Sequence, residues 1–497
     1  MKKNLNIIET FDLALQNYQK SNYQVAINLY NKILKIETNN ISAHYNLGII
    51  FMELGEHQKA ISFYEKAIEI NPNYAEAHNN LGKTFKALGE HQKAISCYEK
   101  AIKINPNFVN AHNNLGIIFM ELGEHQKAIS CYEKAIEINP NFVNAHNNLG
   151  IIFMELGEHQ KAISCYEKAI EINPNFVNAH NNLGTIFNEL GEYHKAISCY
   201  EKAIEINPNF VTAHNNLGET FKALGELQKA ISCYEKAIKI NPGDISTLDS
   251  LLKSLYEMDD QSIFFKELDN RIKEGKVNAV IGSLSLRSEI KYGIKRQNPF
   301  CNDPLKYVLK IDLTQRCDFK NTFVKTAKNI LNDDAISNKT QHLLINGIQT
   351  AGNLFSQKND PIEKIKNIIH SEIEKYKVQF KNSKEGLIKS WPTNYNIKGW
   401  LVSMKNDGKI KPHIHDYGWL SGSIYINVPP KLKTDSGNLV VCIDDEEHET
   451  GKNTYRKKII DVVTGNLCLF PSSLYHYTIP FESEEERIVL AFDVTPN

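Results

Sequence analysis

Between residues 41 and 244 the apolar positions recur with a period of about 34 residues, and within each period they lie three or four positions apart. Spacing of three or four positions places side chains on one face of an α-helix. In the copy that spans residues 75–108 this pattern is interrupted once, so it predicts two helices, at about residues 76–88 and 91–104. Each copy therefore predicts two helices that pack through apolar faces, here formed by Leu81, Phe85, Ile95, Tyr98 and Ile102.

Glycine and proline indicate the geometry of each copy. Gly82, in the first helix, leaves room for the second helix to approach closely, and Gly89 interrupts the chain between the two helices. Pro106 marks the exit from the second helix, because proline cannot continue a helix. Two copies, residues 109–142 and 143–176, are identical in sequence.

The order of residues within a copy, with Leu and Gly early, Ala in the middle and late, and Pro near the end, resembles the tetratricopeptide repeat. The resemblance implies antiparallel helix pairs that stack into an all-α superhelix, whose inner groove holds a partner chain. Six copies fill residues 41–244, and residues 7–40 resemble a degenerate terminal copy. We therefore predict a first domain of tetratricopeptide repeats over residues 1–244, with a protein or peptide as its partner.

Each copy carries an asparagine immediately before the leucine of its first helix. In tetratricopeptide arrays this position faces the groove, and these copies are similar to those of the O-linked N-acetylglucosamine transferase, where such asparagines bind peptide backbone. A primary amide matches a peptide unit whatever its side chain. We expect these amides to face solvent and bind peptide; the alternative is that duplication kept a merely solvated residue. The candidate peptide-binding residues are Asn80, Asn114, Asn148, Asn182 and Asn216.

A histidine also recurs once in each copy, for example His78 and His112. One histidine per repeat is too widely spaced for shared metal coordination, and a large aromatic residue often occupies this position of the repeat. We therefore predict that these histidines pack in the interior and bind no metal.

Composition narrows the classes of partner and compartment. The 497 residues include 57 basic and 58 acidic side chains, so the charge gives no reason to expect nucleic acid or a membrane surface as partner. No run of about 18 apolar residues is present, which argues against a membrane span. Five of the nine cysteines recur at one repeat position, from Cys97 to Cys233, and predict interior packing in a reducing compartment. We expect a cytoplasmic protein.

Beyond residue 244 the chain changes character. Residues 245–300 keep amphipathic helical patterns and are interpreted as capping helices and a linker. In residues 301–497, helical stretches near 318–332 and 361–380 are followed by short runs rich in β-branched and aromatic residues. These runs predict an α+β domain with a small β-sandwich or barrel. They are GWLVSMK, SGSIYINV, NLVVCID, IIDVV, NLCLF and RIVLAFDV.

Two clusters in this second region carry candidate chemistry. His413 and His415 are separated by one residue, so on a strand they project from the same side. His476, beside another predicted strand, can complete a metal site across the barrel. Three protein ligands leave coordination positions open, as in the non-haem Fe(II) oxygenases. Arg487 suits the distant carboxylate of a dicarboxylate, because a guanidinium binds a carboxylate through two hydrogen bonds.

The segments that contain these residues resemble a family of 2-oxoglutarate-Fe(II) oxygenases that often follows tetratricopeptide arrays in bacteria. The resemblance implies a double-stranded β-helix (jelly-roll) core, with Fe(II) and 2-oxoglutarate as cofactors. It also implies that decarboxylation of 2-oxoglutarate is coupled to oxidation of a C–H bond. Tyr425 resembles the tyrosine that helps hold 2-oxoglutarate in prolyl-hydroxylase-like enzymes; the alternative is an ordinary aromatic residue of the barrel. The resemblance rests on residues 347–355, 399–429, 465–481 and 487–496.

The second metal ligand is open at this point. The usual motif of the wider superfamily is His-x-Asp followed by a distant histidine, but here His415 stands where the carboxylate belongs. Either His415 ligates in a three-histidine site, or Asp416 takes its place through a one-residue shift of the loop. In a third interpretation one histidine of the pair only supports a site with two protein ligands, and in a fourth all three histidines are structural. Histidines without such neighbours are interpreted as structural or solvated: His342, His370 and His448.

Together these features favour an Fe(II)/2-oxoglutarate-dependent oxygenase that hydroxylates a protein or peptide captured in the repeat groove. One alternative is an oxygenase of a small molecule, for which the repeats are a docking scaffold. Another alternative, from a different class of function, is a protein–protein interaction scaffold whose barrel has lost activity.

Overall fold

The computed structural model of the chain describes residues 7–333, 338–339, 343–356, 359–444 and 457–497. It divides into two compact units, Met1–Met154 with His159–Ala179, and Glu155–Glu158 with His180–Asn497. The α-helices of the array extend to Tyr292, and all ten described strands begin at or after Leu309. The predicted fold class, an all-α repeat array followed by a strand-rich α+β domain, is confirmed.

The array consists of successive helices of 13 or 14 residues joined by short turns. In order they are α1 (Ile7–Gln19), α2 (Tyr23–Ile36), α3 (Ile41–Glu53), α4 (His57–Ile70), α5 (Ala75–Ala87), α6 (His91–Ile104), α7 (Val109–Glu121), α8 (His125–Ile138), α9 (Val143–Glu155), α10 (His159–Ile172), α11 (Val177–Glu189), α12 (Tyr193–Ile206), α13 (Val211–Ala223), α14 (Leu227–Ile240), α15 (Ile245–Glu257), α16 (Gln261–Lys273) and α17 (Ala279–Tyr292).

Glycine and tyrosine fix the packing of the two helices in each copy. A Cβ atom on Gly82 would lie 2.7 Å from Cε1 of Tyr98, so the α6 ring occupies the space that a side chain on α5 would need. Gly89 has φ +71°, a left-handed conformation that glycine adopts without steric cost. Both predicted roles are confirmed, and the same contact recurs between Gly116 and Tyr132.

The repeated histidines are buried and bound to backbone. His78 is 7% exposed, and its Nε2 lies 3.0 Å from the carbonyl oxygen of Pro72, in the turn that precedes α5. His112 makes the same contact with the carbonyl oxygen of Pro106 at 2.9 Å. The prediction of interior packing is confirmed, and the hydrogen bond explains why a polar residue stands in an apolar position.

The spacing of the helices continues after the sequence repeat has ended. The helix α15 begins one full repeat period after α13, and α17 begins one further period later, as their first residues Val211, Ile245 and Ala279 show. Asp259 has φ +62° in the place where the preceding copy has Gly225 with φ +76°. The capping helices therefore form one more repeat and half of another, although their side chains no longer show the pattern.

The domain beyond the array contains ten strands and three α-helices within its described residues. The helices are α18 (Lys325–Leu331), α19 (Asp360–Gln379) and α20 (Gly386–Lys389). The strands are β1 (Leu309–Asp312), β2 (Asn338–Lys339), β3 (Leu344–Thr350), β4 (Tyr395–Ile410), β5 (Leu420–Asn427), β6 (Leu439–Cys442), β7 (Lys457–Ile460), β8 (Asn466–Pro471), β9 (Tyr475–Thr478) and β10 (Arg487–Pro496).

These strands form two antiparallel sheets. The larger sheet has the order β1-β8-β5-β10-β4-β3-β2, and the smaller has the order β7-β6-β9. Alternation along β10 separates two environments, because successive side chains of a strand point to opposite faces. Leu490, Phe492 and Val494 pack in a core with Ile369 of α19. Val489, on the opposite face, packs with residues of the smaller sheet.

No helix in the described part of the chain has both the length and the apolar character needed to cross a membrane.

Candidate metal site

The three candidate histidines come from two segments that meet at the smaller sheet. His413 and His415 lie between β4 and β5, and His476 lies on β9. His413 and His476 form an antiparallel bridge, in which N–H of His476 donates to the carbonyl oxygen of His413 at 2.9 Å. This bridge extends the smaller sheet by one residue and brings the two segments together.

The three imidazole rings form a compact cluster. Each offers one ring nitrogen, and these nitrogens all lie within 4.8 Å of one another. Nε2 of His413 lies 3.1 Å from Nε2 of His415. The ring centroids of His413 and His476 are 4.2 Å apart, and those of His415 and His476 are 4.8 Å apart.

Hydrogen bonds at Nδ1 determine which nitrogen is available in each ring. Nδ1 of His413 lies 2.8 Å from the carbonyl oxygen of Lys411, and Nδ1 of His476 lies 3.5 Å from that of Leu474. Because a carbonyl oxygen only accepts, both Nδ1 atoms carry the proton and donate. Nδ1 of His415 likewise lies 2.5 Å from Oδ1 of Asp493. In the neutral form of each ring, Nε2 therefore carries the lone pair that can bind a cation. Without a cation, Nε2 of His413 and Nε2 of His415 lie within hydrogen-bond distance of each other.

The pKa values of the three histidines also bear on whether the rings can bind a metal. Burial, followed by the proximity of His415, lowers the pKa of His413 to about 4. Burial and the two neighbouring histidines hold the pKa of His476 well below its usual range. Burial alone would also lower the pKa of His415, but the Asp493 carboxylate outweighs it and raises the pKa. At neutral pH His413 and His476 are therefore neutral, as metal-ligating imidazoles must be.

Asp416, the alternative ligand, has a different partner. Its Oδ2 accepts a hydrogen bond from Nζ of Lys253 on α15. Among the residues that the structure describes, the three histidines lie close enough together to hold one metal ion, and Asp416 is not part of this group. The structure thus places His415, rather than Asp416, with the other two histidines.

Arg487, the candidate anchor for a carboxylate, is the first residue of β10 and is 1% exposed. Its Nη1 donates to the carbonyl oxygen of Gly437, whereas Nε and Nη2 are buried without a hydrogen-bond partner among the described residues. The guanidinium carbon lies 5.1 Å from the ring centroid of Tyr425 and 5.9 Å from that of Phe481. A buried guanidinium with two free donors is suited to an anionic ligand, because unsatisfied buried donors are costly.

The histidines and the arginine line one cavity of about 600 Å³. Its size is that of a small-molecule site. The face of the larger sheet that is turned towards the smaller sheet supplies most of the wall. Among the residues that line the cavity are His413, His415, His476, Arg487, Tyr425, Ser421 and Trp400.

Two neighbours of the site were not indicated by the sequence. Asp493 binds His415, and the ring of Trp400 on β4 lies 5.7 Å from that of His415 between centroids. Asp493 and Arg487 share one face of β10, since an even number of positions separates them on a strand. That even spacing from Arg487 is the signal that could have indicated Asp493.

The remaining histidines lie away from the cluster or outside the described residues. His370 of α19 receives or donates a hydrogen bond with the Tyr395 hydroxyl at 2.8 Å, which suits a structural role. His342 and His448 lie outside the residues that the structure describes.

The last helices of the array contact both histidine-bearing segments. Lys253 of α15 pairs with Asp416, the residue after the second histidine of the pair. Arg287 of α17 donates to Oδ1 of Asp444 and to the hydroxyl of Tyr475, the residue before the third histidine, each at 2.8 Å. Lys253 and Arg287 are one repeat period apart, so the same repeat position serves both contacts.

The five candidate peptide-binding asparagines are half-buried, and their binding of peptide stays a prediction. Neighbouring copies present their amides to each other, and these amides form hydrogen bonds between repeats. The observed pairs, donor first, are Asn80 to the Tyr45 hydroxyl (2.9 Å), Asn114 to Asn79 (3.0 Å) and Asn148 to Asn113 (3.1 Å), and in the second unit Asn216 to Asn181 (3.1 Å). Asn182 is half-buried as well.

Comparison with known proteins separates the same two regions. A family described as "Putative 2OG-Fe(II) oxygenase" matches residues 398–493. Tetratricopeptide repeat families match residues 14–55, 39–107, 109–142, 143–176, 165–198, 184–225 and 211–244. No curated protein matches the chain.

Solved structures resemble parts of the chain. The MamA protein is 31% identical over 34% of this chain and 92% of its own, with a TM-score of 0.31. YrrB, described as a TPR protein with an unusual peptide-binding site, is 24% identical over 37% of this chain and 95% of its own, with a TM-score of 0.31. A thermophilic TPR protein from Thermus thermophilus is 23% identical over 37% of this chain and 99% of its own, with a TM-score of 0.33.

The chain thus carries tetratricopeptide repeats between residues 14 and 244, and residues 398–493 match the family described as "Putative 2OG-Fe(II) oxygenase". The recognition of both regions from sequence is confirmed.

Proposed function

We propose that the protein is an Fe(II)- and 2-oxoglutarate-dependent oxygenase that hydroxylates a protein or peptide held by the repeats. The observation that carries the oxygenase assignment is the convergence of three Nε2 lone pairs and a buried, partly unsatisfied guanidinium on one cavity. An imidazole cluster suits a transition metal, and the guanidinium suits a carboxylate. We infer that the two sheets form a double-stranded β-helix.

The histidines and Arg487 have separate proposed roles in the site. His413, His415 and His476 would hold Fe(II) through Nε2, and their Nδ1 hydrogen bonds fix the ring orientations. Nε and Nη2 of Arg487 would bind the distant carboxylate of 2-oxoglutarate, with the ring of Tyr425 against the guanidinium. Fe(II) with 2-oxoglutarate supplies the activation of dioxygen that oxidises a C–H bond.

Two features of the repeats favour a polypeptide substrate over a small molecule. The half-buried asparagines leave acceptor and donor capacity beyond the bonds that join neighbouring repeats, because each amide can make more than one hydrogen bond. In the second unit, α15 and α17 contact the segments that carry the histidines, so the helices of that unit continue to the site. A chain bound along the repeats of the second unit would reach the cavity without a separate linker.

The test is turnover by the purified full-length chain. Supplied with Fe(II), 2-oxoglutarate and dioxygen, the wild type should form succinate, and a degenerate peptide library should raise the rate and gain one oxygen atom per modified peptide by mass spectrometry. His413→Ala is the matched inactive variant. Turnover without any peptide dependence would favour a small-molecule substrate, and absence of both iron binding and turnover would favour an interaction scaffold.

A further inference from the structure

A buried carboxylate supports one of the three histidines. Asp493 on β10 is 8% exposed, and its Oδ1 lies 2.5 Å from Nδ1 of His415. Ser421, paired with Asp493 across β5 and β10, donates to the same oxygen at 2.8 Å. The Ser421 hydroxyl also lies 2.8 Å from that of Ser472, and both serines are at most 1% exposed. The Ser421 hydroxyl also lies 3.3 Å from Nδ1 of His415, so the serine is adjacent to both groups and holds the carboxylate oxygen beside the histidine ring.

The surrounding backbone leaves room for this network. A Cβ atom on Gly418 would lie 2.4 Å from Oγ of Ser472, so a larger residue would displace that hydroxyl. N–H of Gly418 donates to the carbonyl oxygen of His415 at 2.9 Å, and N–H of Trp419 donates to that of Val494 at 2.7 Å. These bonds fix the loop that carries His415 against β10, where Asp493 lies.

The three histidines differ in what they face. Nδ1 of His413 and Nδ1 of His476 face neutral backbone carbonyls, whereas Nδ1 of His415 faces an anion. His415 is also the residue that stands where the wider superfamily has an aspartate. Three neutral imidazoles leave the full charge of a divalent cation uncompensated, but a carboxylate hydrogen-bonded to a ligating histidine raises the basicity of that ligand.

We propose that Asp493 supplies, through His415, the negative charge that a directly ligating carboxylate supplies elsewhere, and that Ser421 holds Asp493 in position. The inference rests on the proposed metal site. Asp493 is thus a positioning residue: it fixes the tautomer and orientation of His415 and increases its affinity for the cation, without contacting the metal.

The test is the affinity of the metal-free, full-length chain for Co(II), followed through the visible absorption of the bound ion. Asp493→Asn keeps the shape of the side chain and should weaken binding about 10- to 100-fold, the usual cost of losing such a partner. Ser421→Ala should weaken binding less. Asp416→Asn is the matched control, because that carboxylate is adjacent to His415 but pairs with Lys253.

The same substitution made in a His415→Asp protein distinguishes an electrostatic role of Asp493 from a purely structural one. In His415→Asp the carboxylate binds the metal directly, so adding Asp493→Asn should cost little or should improve affinity. An equal loss from Asp493→Asn in both backgrounds, or no loss in the wild-type background, would overturn the inference. If the wild type itself bound no Co(II), the proposed metal site would fail first.

Discussion

The repeat array and the strand-rich domain satisfy their buried polar groups in different ways. In the array one contact recurs in each copy, as when His78 and His112 each bind a carbonyl oxygen in the turn before their own helix. In the strand-rich domain the contacts at His415 and Arg487 occur once, and they join segments far apart in sequence. The array therefore distributes its stability over many similar contacts, whereas the site depends on single residues.

The largest effect should follow from removing a histidine of the site. His413→Ala or His476→Ala should abolish stoichiometric Fe(II) binding, because each variant removes one of three protein ligands. The helical array should keep its circular dichroism. His370→Ala, outside the cluster, is the control and should bind one equivalent of Fe(II). Retention of tight binding by His476→Ala would show that the site does not need all three residues.

A change in the array should have a moderate and local effect. Gly116→Ala places a Cβ atom 2.6 Å from Cε1 of Tyr132, and such overpacking costs about 1–3 kcal/mol of unfolding free energy. Urea unfolding followed by circular dichroism would measure the loss, and Fe(II) affinity should be unchanged. Asn110→Ala, an exposed position of the same helix, should not destabilise the array. Equal stability of both variants would contradict the packing account.

Arg487→Lys should have a smaller effect, confined to the cosubstrate. Lysine keeps the charge but loses the planar pair of donors, so the affinity for 2-oxoglutarate should fall by about tenfold or more, the range for a lost hydrogen bond to a charged group. Fe(II) affinity should be retained, which distinguishes this variant from the histidine variants. The Kd for 2-oxoglutarate would be measured by calorimetry with Fe(II) present. An unchanged value would show that a cationic side chain other than Arg487 binds the distant carboxylate.

The smallest effect concerns the bonds between repeats. Asn148→Ala removes the donor to Asn113 and should cost about 0.5–1.5 kcal/mol, the usual net value of a hydrogen bond. Asn144→Ala, exposed in the same helix, is the matched control and should leave the unfolding free energy unchanged. If the two variants were equally stable, the amide would be no more than a solvated residue, as in the alternative considered for the sequence.

The array was largely predictable because its period is visible in the residues. Gly82, Gly89 and Pro106 have the predicted roles, as a recurring pattern leaves few structural alternatives. Two features of the array could not be predicted from the sequence. The amide bonds between copies depend on how helices stack, and the continuation into α15 and α17 is carried by helix spacing after side-chain similarity has ended.

The candidate site was predictable only where a short motif marks it. His413, His415 and His476 meet as expected. The first two are separated by only one residue, and the third lies beside a strand that the sequence pattern predicts. The choice between His415 and Asp416 needed the position of Lys253, which no local pattern gives. Even spacing from Arg487 could place Asp493 on the same face of β10, but its contact with His415 depends on the order of strands in the larger sheet, a non-local property.

The central claim is that the three histidines and Arg487 form one site for Fe(II) and 2-oxoglutarate. The most direct test is an anaerobic titration of the Fe(II)-loaded, full-length chain with 2-oxoglutarate, followed through the visible charge-transfer absorption that forms when this acid binds beside Fe(II). The wild type should develop the absorption with one equivalent at saturation, Arg487→Lys should require more 2-oxoglutarate, and His476→Ala should show none. A wild-type protein that binds Fe(II) but develops no absorption at saturating 2-oxoglutarate would contradict the account.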